Sequence, residues 1–264
     1  MRIAIVTGAS SGIGREFARQ IPRLYCELDE IWLVARREGR LSDLKEELSV
    51  PVRIFAGDLK RDAVYESLAR ELILHHPDVR MLVNAAGCGK IGAFTDLDMS
   101  GQLNLIDINC RALTRMTGLC LSYMTKGSRL VQVASAAAFG PQPGFAVYAA
   151  TKSYVYSLSR ALSKELRRKG IFVTAVCPGP VDTEFFEHTD HKSSEGKKAL
   201  RVPASAVVHQ ALVDAVNGKE ISVYGLSMKA ARLLSGIVPD RWIAAVMGIV
   251  NGVDKKQKEE GIER

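Results

Sequence analysis

"IAIVTGASSGIG", residues 3–14, decides how this chain is read. Four apolar residues give the pattern of a short buried strand. Thr7 to Gly14 then brings three glycines, and an amphipathic stretch follows near residues 13–24. Gly8, Gly12 and Gly14 fall where a strand must turn tightly into a helix. Glycine reaches positive φ there and lets a ligand or a packing helix approach the backbone closely. The helix start offers free N–H groups and a positive dipole end to a pyrophosphate. A lone glycine pattern also fits a merely tight turn, so its position in an alternating chain is what points to a dinucleotide.

That alternation runs outward from the first strand. Apolar runs recur at 31–35, 52–56, 81–84, 130–134, 172–176 and 221–224. Amphipathic stretches lie near 41–48, 62–75, 100–124, 148–169 and 204–217. Nearly all-apolar strands suit a parallel sheet buried on both faces. The expectation is an α/β doubly wound Rossmann-type fold with a seven-stranded, mostly parallel sheet. It should occupy residues 1–225, with 226–264 a helical extension packed on the same domain or on a subunit partner. The polar stretch "EFFEHTDHKSSEGKKALRV" (184–202) breaks the rhythm and reads as a surface excursion or lid.

Composition narrows the function classes. Five cysteines with no CxxC pair argue for a reducing compartment, so a cytoplasmic location is expected. No run of eighteen apolar residues predicts a membrane-spanning helix, and the N-terminal run does not read as a signal peptide. The net charge of +7 suits nucleic acid, anionic lipid or a phosphate-bearing cofactor. The basic residues are scattered without interleaved aromatics, which disfavours nucleic acid. His188, Asp190 and His191 sit in a polar stretch without a cysteine cluster, so a solvated loop is preferred over a metal site. Cys88 and Cys177 fall near the expected cofactor and read as small apolar residues.

The second strand ends in "VARRE", with Ala35 near the place where an acidic residue would hold the ribose of NAD. Arg36 and Arg37 follow, and a guanidinium suits a 2′-phosphate. NADP(H) is therefore favoured over NAD(H), the alternative being two solvated arginines. Asp58, after the third strand, is placed to touch the adenine or to cap the next helix.

Four further stretches complete a pattern. These are "NAAG" (84–87), "SAAAFGPQPGFAVYAATK" (135–152), "PGPVDT" (178–183) and Asn109 in the long fifth-helix pattern. Together with the glycine turn, they resemble the short single-domain branch of the short-chain dehydrogenase/reductase family. Ala85 replaces a second asparagine of that family, and Ala134 stands where many relatives carry a second serine. The resemblance implies hydride transfer between a nicotinamide and a carbonyl or alcohol carbon. It implies Asn109, Ser135, Tyr148 and Lys152 as the catalytic set. Cofactor contacts would come from Gly8, Ser10, Ser11, Gly12, Ile13, Gly14, Arg36, Arg37, Asp58, Leu59, Asn84, Ala85, Ala86 and Gly87. Tyr148, Lys152, Pro178, Gly179, Val181 and Thr183 would complete them. It also implies a homodimer or homotetramer paired through the helices at 100–124 and 148–169.

Tyr148 and Lys152, four apart, share one helix face. A free phenol titrates near 10, and a neighbouring cation lowers that value. Lys152 is expected to act so, Ser135 to orient the substrate oxygen, and Asn109 to anchor a water. The rival readings are a non-catalytic cofactor-binding regulator and a sugar-nucleotide epimerase. The latter usually needs a larger C-terminal domain. Phe139, Phe145, Val181, Phe185 and Phe186 suggest an apolar pocket. In the tail, Trp242, Val246, Ile249, Val250 and Val253 fall at helical spacing before Lys255, Lys256 and Lys258. That helix packs on its own domain or a sister subunit, lies on a membrane surface, or covers a hydrophobic substrate.

Overall fold

The computed structural model describes residues 1–25, 27–186 and 201–253. Most of the polar excursion, with His188, Asp190 and His191, lies outside the described residues, as do Lys255, Lys256 and Lys258. The first strand, β1 (Arg2–Thr7), sorts its side chains by alternation. Ile3 and Ile5 enter one core with Trp32, Leu68, Leu72 and Met116. Ala4 and Val6 enter the other with Phe17, Ile21, Leu41, Leu44 and Leu212. Each large side chain buried in this way contributes roughly 1.5–3 kcal/mol. One strand therefore needs a helix layer on each face.

The layers come from regular crossovers. Helices α1 (Gly12–Leu24), α2 (Glu38–Glu47) and α7 (Ala204–Val216) supply one face. Helices α3 (Asp62–His75), α5 (Leu113–Leu121) and α6 (Ala146–Leu166) supply the other. Between them lie β2 (Glu30–Ala35), β3 (Val52–Ala56), β4 (Asp78–Asn84), β5 (Arg129–Val133), β6 (Phe172–Val176) and β9 (Ile221–Ser222). With β1 they form a seven-stranded sheet in the order β3-β2-β1-β4-β5-β6-β9. Every neighbouring pair is parallel. The strand order reverses between β1 and β4, which opens a crevice at their C-terminal ends. A separate two-strand ribbon pairs β7 (Val181–Asp182) with β8 (Val202–Pro203).

One expected helix is three pieces. The 100–124 pattern resolves into α4 (Met99–Ile106), a π-helical turn over Asp107–Ala112, and α5. A π turn inserts one extra residue per turn, and here Asn109 sits in its middle. Leu105, Leu113 and Met116 are buried, whereas Met99, Leu103 and Ile106 form an exposed stripe at i, i+4 and i+7.

The extension folds as α8 (Leu226–Ser235) and α9 (Asp240–Asn251). It turns back over the C-terminal ends of the sheet. The Met228 side chain lies against Gly179, and Ile243 against Gly140. Asn251 Nδ2 donates to the Pro143 carbonyl at 2.9 Å. The expected stripe of Trp242, Val246, Ile249 and Val250 is exposed rather than covered. Among the described residues no helix is long and apolar enough to cross a membrane.

Candidate active site

The glycine turn admits no side chains. Gly8 and Gly12 have φ of 70° and 52°, which L side chains rarely adopt. A Cβ on Gly8 would stand 2.7 Å from the Ala86 nitrogen, and one on Gly14 only 2.3 Å from the Gly8 carbonyl oxygen. Across the crevice, Thr7 Oγ1 accepts from the Ala85 and Ala86 nitrogens at 3.1 and 3.2 Å. Thr183, beyond β7's start, reaches within 3.2 Å of where a Gly12 Cβ would sit. Ser11 is the N-cap of α1 and makes no side-chain cap bond, and the first turn holds no acidic residue. Ser10 is buried and Ile13 packs partly into the core. A backbone cradle at an uncapped helix N-terminus fits a pyrophosphate-bearing cofactor.

The arginines at the end of β2 are arranged differently from the sequence expectation. Arg36 is exposed. Arg37 is not a free cation: its Nε and Nη2 donate to Ser10 Oγ at 3.2 Å, and its Nη1 donates to Glu184 Oε2 at 3.0 Å. Arg40 donates to both Glu184 oxygens, at 2.5 and 2.7 Å. The sequence showed no carboxylate beside this pair because Glu184 arrives from 147 positions away. Asp58 does not cap α3, whose N-cap is Arg61. Its carboxylate accepts from the Lys60 nitrogen at 3.0 Å and so closes a local turn. Leu59 is buried, and its carbonyl accepts from the Tyr65 hydroxyl.

The catalytic candidates converge at the ends of β4, β5 and β6. Tyr148 and Lys152 lie on one face of α6, both buried, with Ser135 just past β5. Asn109 is 1% exposed and fully engaged. Its Oδ1 accepts from the Cys88 nitrogen at 3.0 Å, while Nδ2 donates to the Cys88 carbonyl at 2.9 Å and to Thr151 Oγ1 at 3.0 Å. Gly87 lets the two side chains approach closely, since a Cβ there would lie 3.2 Å from Asn109 Oδ1 and 3.4 Å from Lys152 Nζ. Asn84 turns away from the crevice and donates to Thr117 and Gln132 inside the sheet, so only the backbone of "NAAG" faces the site. Pro178 accepts from the Ala136 nitrogen at 2.8 Å, which ties "PGPVDT" to the Ser135 turn. Val181 is buried beside it.

Burial, not the lysine, dominates the electrostatics. Tyr148 is stacked on Phe145 at 4.1 Å and 19°, and Phe185 closes its other side at 5.6 Å. Loss of water pushes the phenol up to about 12, partly offset by a hydrogen bond with Ser135. Lys152 was expected to draw that value down. Instead its ammonium donates to the Val133 carbonyl at 2.8 Å and stands 5.7 Å from the phenol ring centre. Burial lowers the ammonium itself to about 8. Phe145, Thr151, Arg40 and Glu184 were not assigned to the catalytic or cofactor set by sequence. Phe145, the N-cap of α6, was read from the sequence only as apolar pocket; Thr151, Arg40 and Glu184 carry no local signal.

Residues 2–194 match the family profile described as short chain dehydrogenase. The chain is 30% identical over 224 residues to an uncharacterised oxidoreductase of Staphylococcus epidermidis, covering 84% of this chain and 96% of that protein. It is also similar in structure to a short-chain dehydrogenase from Sphingobium yanoikuyae in complex with NADPH. That match has 28% identity and a TM-score of 0.73, and covers 90% of this chain and 97% of the other. The bulky-bulky ketone specific alcohol dehydrogenase from Comamonas testosteroni matches with 25% identity and a TM-score of 0.70, over 100% of this chain and 95% of that one.

Proposed function

The chain belongs to the short-chain dehydrogenase family of oxidoreductases, and we propose that it interconverts an apolar ketone and its secondary alcohol with NADP(H). The observation that carries this reading is the buried cluster of Tyr148, Lys152, Ser135 and Asn109 beside a glycine turn closed to side chains. The bound nicotinamide supplies or takes up the hydride. Everything else falls to the protein. Tyr148 holds its proton at Oη, since a phenol raised to about 12 is protonated at neutral pH. It can give that proton to a carbonyl oxygen in the reductive direction. Ser135 donates to the same oxygen and fixes its direction. Lys152, lowered to about 8, titrates close enough to neutrality to return a proton to the phenol. Asn109 and Thr151 keep the Cys88 backbone and the α6 face in register.

Arg37 and Arg40 meet beside Ser10 of the glycine turn, Arg36 adjoins them in the chain, and Ala35 offers no carboxylate to an NAD ribose, which supports a 2′-phosphate. The NADPH bound by the Sphingobium protein supports the same choice. Phe145, Phe185, Val181 and Met228 surround the reacting groups with apolar surface, and the likeness to a ketone-specific enzyme points the same way. The exposed stripe of Met99, Leu103 and Ile106 supports a homo-oligomer. The test is NADPH oxidation across ketones of increasing size, with NADH in parallel. Absence of turnover with every ketone, alongside tight NADPH binding, would favour a cofactor-binding regulator instead.

A further inference from the structure

Glu184 and Phe185 are consecutive, and each contacts a different part of the site. The Glu184 carboxylate lies on Arg37 and Arg40 together. Both guanidiniums hold its carboxyl below the usual carboxylate range, so it is anionic at neutral pH. The Phe185 ring packs on Tyr148 and fills the space beside Gly89, where a Cβ would come within 2.4 Å of it. Arg37 also holds Ser10 of the glycine turn. One short segment thus connects the cofactor turn, the arginine pair and the catalytic phenol.

We propose that Glu184 is a built-in substitute for the cofactor's 2′-phosphate, displaced when the phosphate arrives, and that its release withdraws Phe185 from Tyr148. This rests on the NADP(H) reading above. The chemistry favours exchange. The Arg37, Arg40 and Glu184 side chains are 39%, 41% and 36% exposed, so water reaches all three and weakens their pairing. A phosphate monoester carries nearly two charges and three acceptor oxygens, so it out-competes one carboxylate for a guanidinium pair. NADH has no such group and leaves Glu184 in place. NADPH alone then uncovers the proton donor, so cofactor choice and access to Tyr148 are set by one residue.

Calorimetric titration of the full chain with NADPH and with NADH tests the competition. Glu184→Gln keeps the shape and removes the charge. NADPH should bind about three- to tenfold tighter to this variant, the scale of losing a rival for two partly exposed ion pairs, while NADH affinity holds. Equal changes for both cofactors mark a structural effect and overturn the proposal. So does an unchanged or weakened NADPH affinity. A wild-type chain that binds neither dinucleotide, or only NADH, refutes the cofactor reading itself and removes the proposal with it. Phe185→Trp tests the coupling with adenosine 2′-monophosphate, which has no nicotinamide to touch the ring. Its emission should shift to the red with this ligand and stay unchanged with adenosine 5′-monophosphate. A shift with both ligands, or with neither, overturns the coupling.

Discussion

Lys152→Met should make the protein more stable while destroying its activity. The ammonium is buried, and its value falls from 10.5 to about 8 because burial penalises the charge. That drop corresponds to about 3 kcal/mol held against the folded state. Methionine has a similar length and pays no such penalty. The loss of the ammonium's hydrogen bond to the Val133 carbonyl returns about 1.5–3 kcal/mol, leaving a net gain of about 0–1.5 kcal/mol at pH 7. The pH dependence follows from the direction of the shift. Below about pH 8 the folded and unfolded states both carry the proton, and the full penalty is present. Between about 8 and 10.5 the folded state releases its proton while the unfolded state keeps it, so the wild type gains stability with rising pH. Urea unfolding of both proteins at neutral pH and near pH 10 reads this as a midpoint difference at constant slope. The variant should lead at pH 7, and its lead should vanish or reverse near pH 10. A variant less stable at pH 7, or a lead independent of pH, refutes the claim that the site holds Lys152 at an electrostatic cost.

Three other outcomes follow from the same geometry. Phe145→Ala opens one side of Tyr148 to water, so the phenol should fall from about 12 toward its ordinary value near 10, read by tyrosinate absorbance; an unmoved titration would mean that the stack is not what dries the site. Ending the chain at residue 239 removes the Ile243 contact with Gly140 and the Asn251 bond to Pro143, so KM should rise for large apolar ketones and not for small ones, whereas a uniform activity loss with a lower Tm would make the tail structural. Leu103→Glu places a charge in the exposed α4 stripe and should convert the proposed oligomer to monomers by light scattering; a wild type that is already monomeric would refute the oligomer, and an unchanged oligomeric mass would place pairing elsewhere.

What could be read in the sequence was what repeats locally. The strand at 3–6, the glycines behind it and the four-residue spacing of Tyr148 and Lys152 are short-range patterns. Each survives folding because the backbone enforces it. The seven strands and their parallel order follow from the same alternation. What escaped depends on distant partners. Glu184 reaches Arg37 only because β7 brings the end of "PGPVDT" over the glycine turn. The π turn around Asn109 is invisible to helical periodicity, since apolar residues on either side keep their spacing. The raised phenol of Tyr148 escapes the sequence for a related reason. Four-residue spacing places two groups on one face but says nothing of the Val133 carbonyl that claims the ammonium, nor of the two phenylalanines that dry the phenol. Asp58 shows the reverse case, where a local turn rather than the cap of the next helix takes up one carboxylate oxygen.

The central claim is that Tyr148 is the proton donor of a ketone reduction. Its direct test is the single-turnover rate of NADPH oxidation with a reactive ketone, compared between the wild type and Tyr148→Phe, with NADPH affinity measured on both. Phenylalanine keeps the ring stacked on Phe145 and removes only the hydroxyl. The rate should fall by about 10²- to 10⁴-fold, the usual contribution of a positioned general acid, at unchanged NADPH affinity. A variant that oxidises NADPH at the wild-type rate would contradict the assignment.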